Sequence, residues 1–185
     1  DGNLIIYGGI YDRMVAQLQK EGGYLATDEQ REMLKKAMWD EEGHRIVDTV
    51  AVSPQKLCRA AGFEIPEDRK FVMVVGDGIG KEFKFSGEKL TTLLALFRYE
   101  GDFENALKMM DGIYKVGGRG HSCGIYSHND EHIHALALRA PVTRIMVRQP
   151  QSKANAGSAN NGMPMTSSMG CGTWGGNQVS ENIAL

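Results

Sequence analysis

The stretch DFENALKMMDGIYKVGGRGHSCGIYSHNDEHIHALALRAPVTRIMVR, residues 102–148, decides the fold. Asp102 can cap a helix in which Ala106, Leu107, Met110, Ile113 and Tyr114 recur at helical spacing. The pattern then predicts a strand over 122–126, a helix over 130–139 and a strand over 144–148. Strands alternating with helices in this way imply an α/β sandwich of layers around a mostly parallel sheet, because a crossover helix returns the chain to start the next strand in the same direction.

The same alternation extends upstream. Leu4 to Tyr7 is a short apolar strand, followed by Ile10, Met14, Val15 and Leu18 at helical spacing until Gly22-Gly23 stops them. Thr27-Asp28-Glu29-Gln30 has the form of a capping box and opens a helix over 28–39, with Met33, Leu34, Ala37 and Met38 on its inner face. Ser53-Pro54 starts a short helix that Gly62 stops, and Phe71 to Val75 and Leu93 to Phe97 read as buried strands. From Gln149 onward Ser, Asn, Gly and Met replace any periodicity, which predicts a long loop. At 185 residues with 42% hydrophobic content, one domain spanning 1–185 is expected.

Composition narrows the class. A formal net charge of -2 provides no basic field to concentrate nucleic acid or anionic membrane, so neither is an expected partner. Three cysteines, Cys58, Cys123 and Cys171, at irregular spacing suit a reduced protein better than a disulfide framework. With neither an apolar run of membrane-spanning length nor a signal-like start, the expectation is a soluble, cytoplasmic protein. Asp1-Gly2-Asn3 enters a strand directly and without a Met, which reads as a piece of a longer chain.

Several motifs invite chemistry. Gly76-Asp77-Gly78-Ile79-Gly80-Lys81 suggests a phosphate loop, but Lys81 stands where a dinucleotide fingerprint needs Gly, and a Walker loop needs Gly at Val75 and Ser or Thr at Glu82. A tight turn after a strand is the better reading. Gly170-Cys171-Gly172-Thr173-Trp174-Gly175 has the G-x-G-x-x-G spacing without a strand before it or a helix after it. His128, His132 and His134 lack an accompanying thiol or third-ligand pattern, so no metal is expected. His121, behind Gly117-Gly118-Arg119-Gly120, is the leading acid/base candidate, and spacing alone equally allows a histidine satisfied by its turn. Cys123 is either a nucleophile beside it or a small buried hydrophobe, and Cys58 belongs to the core. Arg144 and Arg148 flank Ile145-Met146-Val147 and, with Gln149, Gln151 and Lys153, gather donors at a strand exit, either as a clamp for a small anion or as solvated side chains.

The run Met169-Gly170-Cys171-Gly172-Thr173-Trp174-Gly175-Gly176-Asn177-Gln178-Val179-Ser180-Glu181-Asn182 closely resembles the C-terminal signature of the coenzyme A-acylating aldehyde dehydrogenases. Ile10-Tyr11-Asp12, Gly22-Gly23-Tyr24-Leu25, Glu88-Lys89-Leu90, Gly117 to Ser122 and Arg144-Ile145-Met146-Val147 fall in the family's order, so the resemblance covers the chain. It implies the aldehyde dehydrogenase catalytic-domain fold, with NAD or NADP as cofactor, coenzyme A as co-substrate, and association into homo-oligomers. It also implies that a thiolate forms a thioester with the substrate, and that this cysteine and a nucleotide-binding domain lie upstream of Asp1, the cysteine by about three residues. By the same resemblance Glu88 binds the nicotinamide ribose, while His121 faces the thioester and receives or relays the coenzyme A thiol proton. Neither Cys123 nor Cys171 matches the nucleophile. Thr91-Thr92 stand where the family often has Ser-Pro. The run from Arg144 to Met169 looks most like the sulfoacetaldehyde-oxidising branch, in which Arg148 with Lys153 would hold the sulfonate. Succinate semialdehyde and acetaldehyde are the rival substrates, and a noncatalytic binding or assembly module of the same fold is the rival class.

Overall fold

In the computed structural model, which describes residues 2–163 and 165, the chain forms two units, Gly2–Met109 and the residues from Met110 onward. The first is built on four strands, β1 (Asn3–Tyr7), β2 (Gly23–Leu25), β3 (Phe71–Val75) and β4 (Leu93–Tyr99). They lie in the order β1-β4-β3-β2 and every pairing is parallel, with Asn3 opposite Ala95 and Val72 opposite Leu93. Both faces are covered, as a parallel sheet requires. On one face Ile6, Met73 and Leu96 form a core with Val15 of α1 (Tyr11–Lys20), extended by Tyr11, Met14 and Leu18. The alternate residues Val72, Val74, Leu93 and Ala95 are buried as well. The expected parallel α/β architecture is the one the chain adopts.

Local signals explain the helices. Asp28–Met38 forms α2 behind a complete capping box: the Gln30 amide donates to Thr27 Oγ1 at 3.2 Å and the Thr27 amide to Gln30 Oε1 at 3.0 Å. Pro54–Ala60 forms α3, where Ser53 Oγ accepts from the Lys56 amide and Gly62 ends the run at φ +89°. The strand β2 was not expected from the sequence, which offered Gly22-Gly23 only as a stop. Gly23 serves both purposes: a Cβ there would lie 2.9 Å from the Leu18 carbonyl oxygen, so glycine lets α1 end directly against β2.

The helix α4 (Phe103–Val116) runs across the division between the units. The second unit continues with β5 (Gly120–Ile125), α5 (Asp130–Arg139), β6 (Val142–Val147) and α6 (Gln151–Ala154). β5 and β6 pair in parallel, Ser122 opposite Arg144 and Ile125 opposite Val147. Arg139 of α5 holds Asp111 of α4 through Nε and Nη2 at 2.8 and 2.7 Å. The long loop predicted from Gln149 instead begins with α6, a single turn too short to leave a period in the sequence. Among the described residues no helix is long and apolar enough to cross a membrane. Cys171 and the signature Met169 to Asn182, including its glycine motif, lie outside the described residues.

Candidate active site

Two groups of candidate residues are described, one in each unit. In the first, a 3-10 turn over Lys84–Ser86 leads through Gly87 to Glu88. Phe85 is buried edge-on against Trp39 at 5.3 Å, and the Ser86 hydroxyl is tied to Phe83 and Gly80. The turn is therefore anchored in the core although Glu88 itself is exposed. Lys89, beside it, is only 1% exposed. Its Nζ donates at 2.7 Å to Asn3 Oδ1, to the Phe85 carbonyl and to the Gly87 carbonyl, which matches the three N–H groups of an ammonium. Burial pushes Lys89 down to about 7, and the Glu88 charge pulls in the opposite direction. The Lys89 carbonyl accepts from Arg45 Nη2 at 2.9 Å, and the Leu90 carbonyl from the Ala51 amide at 2.8 Å. Leu90 and Ala51 both adopt positive φ, 51° and 53°, which non-glycine residues do only when their surroundings hold them there.

In the second unit β5 begins at Gly120, two residues before the predicted start, so His121 lies on the strand rather than in the turn ahead of it. Gly118 and Gly120 supply φ values of +87° and +86° that the turn needs, and the His121 amide donates to the Gly118 carbonyl. His121 is exposed, whereas Cys123, two residues along, is half-buried and its thiol is pushed up to about 11 by desolvation, partly offset by a hydrogen bond with Tyr114. A thiol held protonated in this way does not act as a nucleophile near neutrality. Cys58, in the first unit, is fully buried and pushed to about 11 by desolvation.

The strand expected over 144–148 stops one residue short: β6 ends at Val147, so Arg144 lies on it while Arg148 turns off it at φ +53°. That turn is fixed by the Arg148 amide donating to the Ile125 carbonyl and by its Nη1 donating to the Ser127 carbonyl, both at 2.8 Å. Arg148 is exposed at the exit of β6, and Lys153 is exposed on α6. In a parallel pair, His121 at the start of β5 and Arg148 past the end of β6 stand toward opposite ends. The segment after β6 nevertheless folds back: Gln151 Nε2 donates to Ser122 Oγ at 2.8 Å, next to His121. Gln151 was expected only as one of the donors at the strand exit, and Lys89 carried no role in the sequence. Lys89 was visible there only as the middle of Glu88-Lys89-Leu90, since nothing in a sequence marks a lysine as buried.

His128, His132 and His134 form no potential metal-ligand group among the described residues; the one group there is Asp40, Glu42 and His44, all exposed. An open hollow on α2 and α3, lined by Met33, Lys36, Ala37, Ala60 and Ala61, contains none of the candidate residues. The Gly76 to Lys81 segment leads into turns rather than a helix, as a turn reading requires.

No family model matches the chain. The chain is nevertheless similar, in sequence over nearly all of its length and in fold, to acylating and acetylating aldehyde dehydrogenases. A crystal structure of an acetylating aldehyde dehydrogenase from Geobacillus thermoglucosidasius superposes with a TM-score of 0.90 at 29% identity, covering 98% of this chain and 39% of that one. A sulfoacetaldehyde dehydrogenase from an Acholeplasma species is 39% identical over 100% of this chain and 39% of its own length. An acylating sulfoacetaldehyde dehydrogenase from Bilophila wadsworthia is 38% identical over 94% of the chain and 38% of its own. An acetylating succinate-semialdehyde dehydrogenase from Clostridium kluyveri is 32% identical over 94% and 38%. The chain thus spans less than two fifths of the length of these relatives. A propionaldehyde dehydrogenase from Rhodopseudomonas palustris, solved with coenzyme A and an acylated cysteine, shares the fold at a TM-score of 0.72 and 20% identity over 85% of this chain and 35% of that one.

Proposed function

We propose that the protein carrying this chain is an NAD- or NADP-dependent, coenzyme A-acylating aldehyde dehydrogenase that converts sulfoacetaldehyde to sulfoacetyl-coenzyme A. The observation behind the reading is the end-to-end similarity, at 39% identity, to a sulfoacetaldehyde dehydrogenase. In this reading residues 1–185 are the catalytic, substrate-binding domain, and the nucleophilic cysteine and nucleotide-binding domain precede it. The overall reaction joins aldehyde, oxidised coenzyme and coenzyme A thiol, giving acyl-coenzyme A, reduced coenzyme and a proton. The bound nicotinamide supplies the hydride acceptor. Glu88 suits the ribose of that coenzyme because an exposed carboxylate on an anchored turn offers acceptors to a diol. His121, exposed on β5, takes the thiol proton as coenzyme A attacks the thioester, a task suited to an imidazole near neutral pH.

Arg148 and Lys153 are the cationic donors for the sulfonate, and the fixed backbone of Arg148 limits the places its guanidinium can reach. Succinate semialdehyde is the second reading, favoured by the 32% identity to the Clostridium kluyveri enzyme. Both substrates end in an anion, so the clamp applies to either. The unpaired cysteine pattern fits a cytoplasmic protein, and the family resemblance a homo-oligomer.

Steady-state rates of the full-length protein with sulfoacetaldehyde, succinate semialdehyde and acetaldehyde test the assignment. Sulfoacetaldehyde should have the highest kcat/KM, and Arg148→Ala should lower it by about tenfold or more while sparing acetaldehyde. Equal efficiency with acetaldehyde would remove the anion clamp. No turnover of any aldehyde would favour the noncatalytic module.

A further inference from the structure

We propose that Lys89 is a positioning residue which, with Asn3, locks the Glu88 turn to the start of β1 and so sets the coenzyme-binding carboxylate against the strand that follows the nucleophile; this rests on the acylating-dehydrogenase reading. Three successive carbonyls, those of Phe85, Ser86 and Gly87, are held by two side chains. Lys89 Nζ takes the first and third at 2.7 Å, and Asn3 Nδ2 takes the middle one at 2.9 Å. The bond from Lys89 Nζ to Asn3 Oδ1, also 2.7 Å, closes the ring. On the far side of Glu88, Arg45 holds the Lys89 carbonyl. Glu88 is therefore fixed through both flanking residues while its carboxylate stays exposed.

Stability alone does not account for an ammonium in this place. Taking a lysine charge out of water is costly even when it is fully hydrogen-bonded, so much of what its three hydrogen bonds gain goes to offset that penalty. The ring adds geometry: it joins residues 86 positions apart in the sequence, tying the first residue of β1 to the turn that presents Glu88. Catalytic constellations need this precision, because misplacement by about 1 Å can cost about a hundredfold in rate.

The test uses the full-length protein with Lys89→Met, Asn3→Leu and the double variant, reading KM for the nicotinamide coenzyme separately from kcat and from KM for coenzyme A. The expected result is a rise in coenzyme KM of about tenfold or more in each single variant, with KM for coenzyme A little changed. The double variant should be no worse than the poorer single one, because both substitutions open the same ring. A purely structural loss would instead shrink the active fraction, lowering kcat at constant KM, and would overturn the proposal. Additive effects would overturn it too. Should Lys89→Met fail to fold, Asn3→Leu alone must still raise the coenzyme KM. A wild-type protein without acylating activity would sink the reading of function, and the proposal with it; an active wild type with unshifted coenzyme KM in the variants would sink the proposal only.

Discussion

His121 and Glu88 both take their roles from the family resemblance, although only His121 was also a candidate by its place in the sequence. Spacing alone left His121 divided between a base and a turn residue, and only the family resemblance gave it a thioester to face. The structure adds that it is an exposed residue of β5. A base in that role acts on coenzyme A after the aldehyde has been oxidised, so His121→Ala should slow release of acyl-coenzyme A by about a hundredfold or more. The first turnover of reduced coenzyme should persist. Rapid-mixing measurements separate the two stages, and loss of the first turnover itself would contradict this role. Lys89 was illegible for a physical reason: lysine is ordinarily solvated, and its burial depends on acceptors supplied by residues 3, 85 and 87, of which the first is remote in sequence. Arg148 lies just past the end of β6 because the expected strand over 144–148 was carried one residue too far.

Among the elements, those with local punctuation were legible and those without it were not. Helix α2 was found at both ends because Thr27, Gln30 and the apolar spacing agree, and the capping box is present as drawn. Thr27→Ala should therefore cost about 1 kcal/mol of stability, measured by urea unfolding, with the Gln30 amide left without its partner. No loss would mean that solvent replaces the cap. Strand β2 and helix α6 escaped because three or four residues cannot display a period of two or of 3.6. β2 exists because β3 pairs with it, Tyr24 opposite Val72. That pairing is a tertiary fact with no local signature. β5 began early for a similar reason: its first residue, Gly120, is recruited by Val142 and by the Pro141 carbonyl.

For the molecule as a whole, the parallel α/β plan was legible because buried strands and amphipathic helices alternate along the chain. The division into two units was not, since α4 crosses it without any break in pattern. Among the described residues the first unit holds the buried thiol of Cys58 and the second the half-buried thiol of Cys123, and each is pushed by desolvation from 9.0 to about 11. The folded state thus keeps these protons after the unfolded chain has released its own. Their contribution to stability is complete below pH 9 and is lost as pH rises through about 11. Lys89, lowered from 10.5 to about 7, acts in the opposite sense up to 10.5, so the thiol is isolated by comparing variants: in urea unfolding of the full-length protein, stability across that window should fall less steeply in Cys123→Ala than in the wild type, and identical slopes would contradict the burial of Cys123. The central claim, that this chain serves an acylating dehydrogenase, is tested most directly by following reduced coenzyme in the full-length protein with sulfoacetaldehyde, with and without coenzyme A. The account predicts about one equivalent per active site without coenzyme A and sustained turnover to sulfoacetyl-coenzyme A with it. Sustained turnover to the free acid without coenzyme A would contradict it.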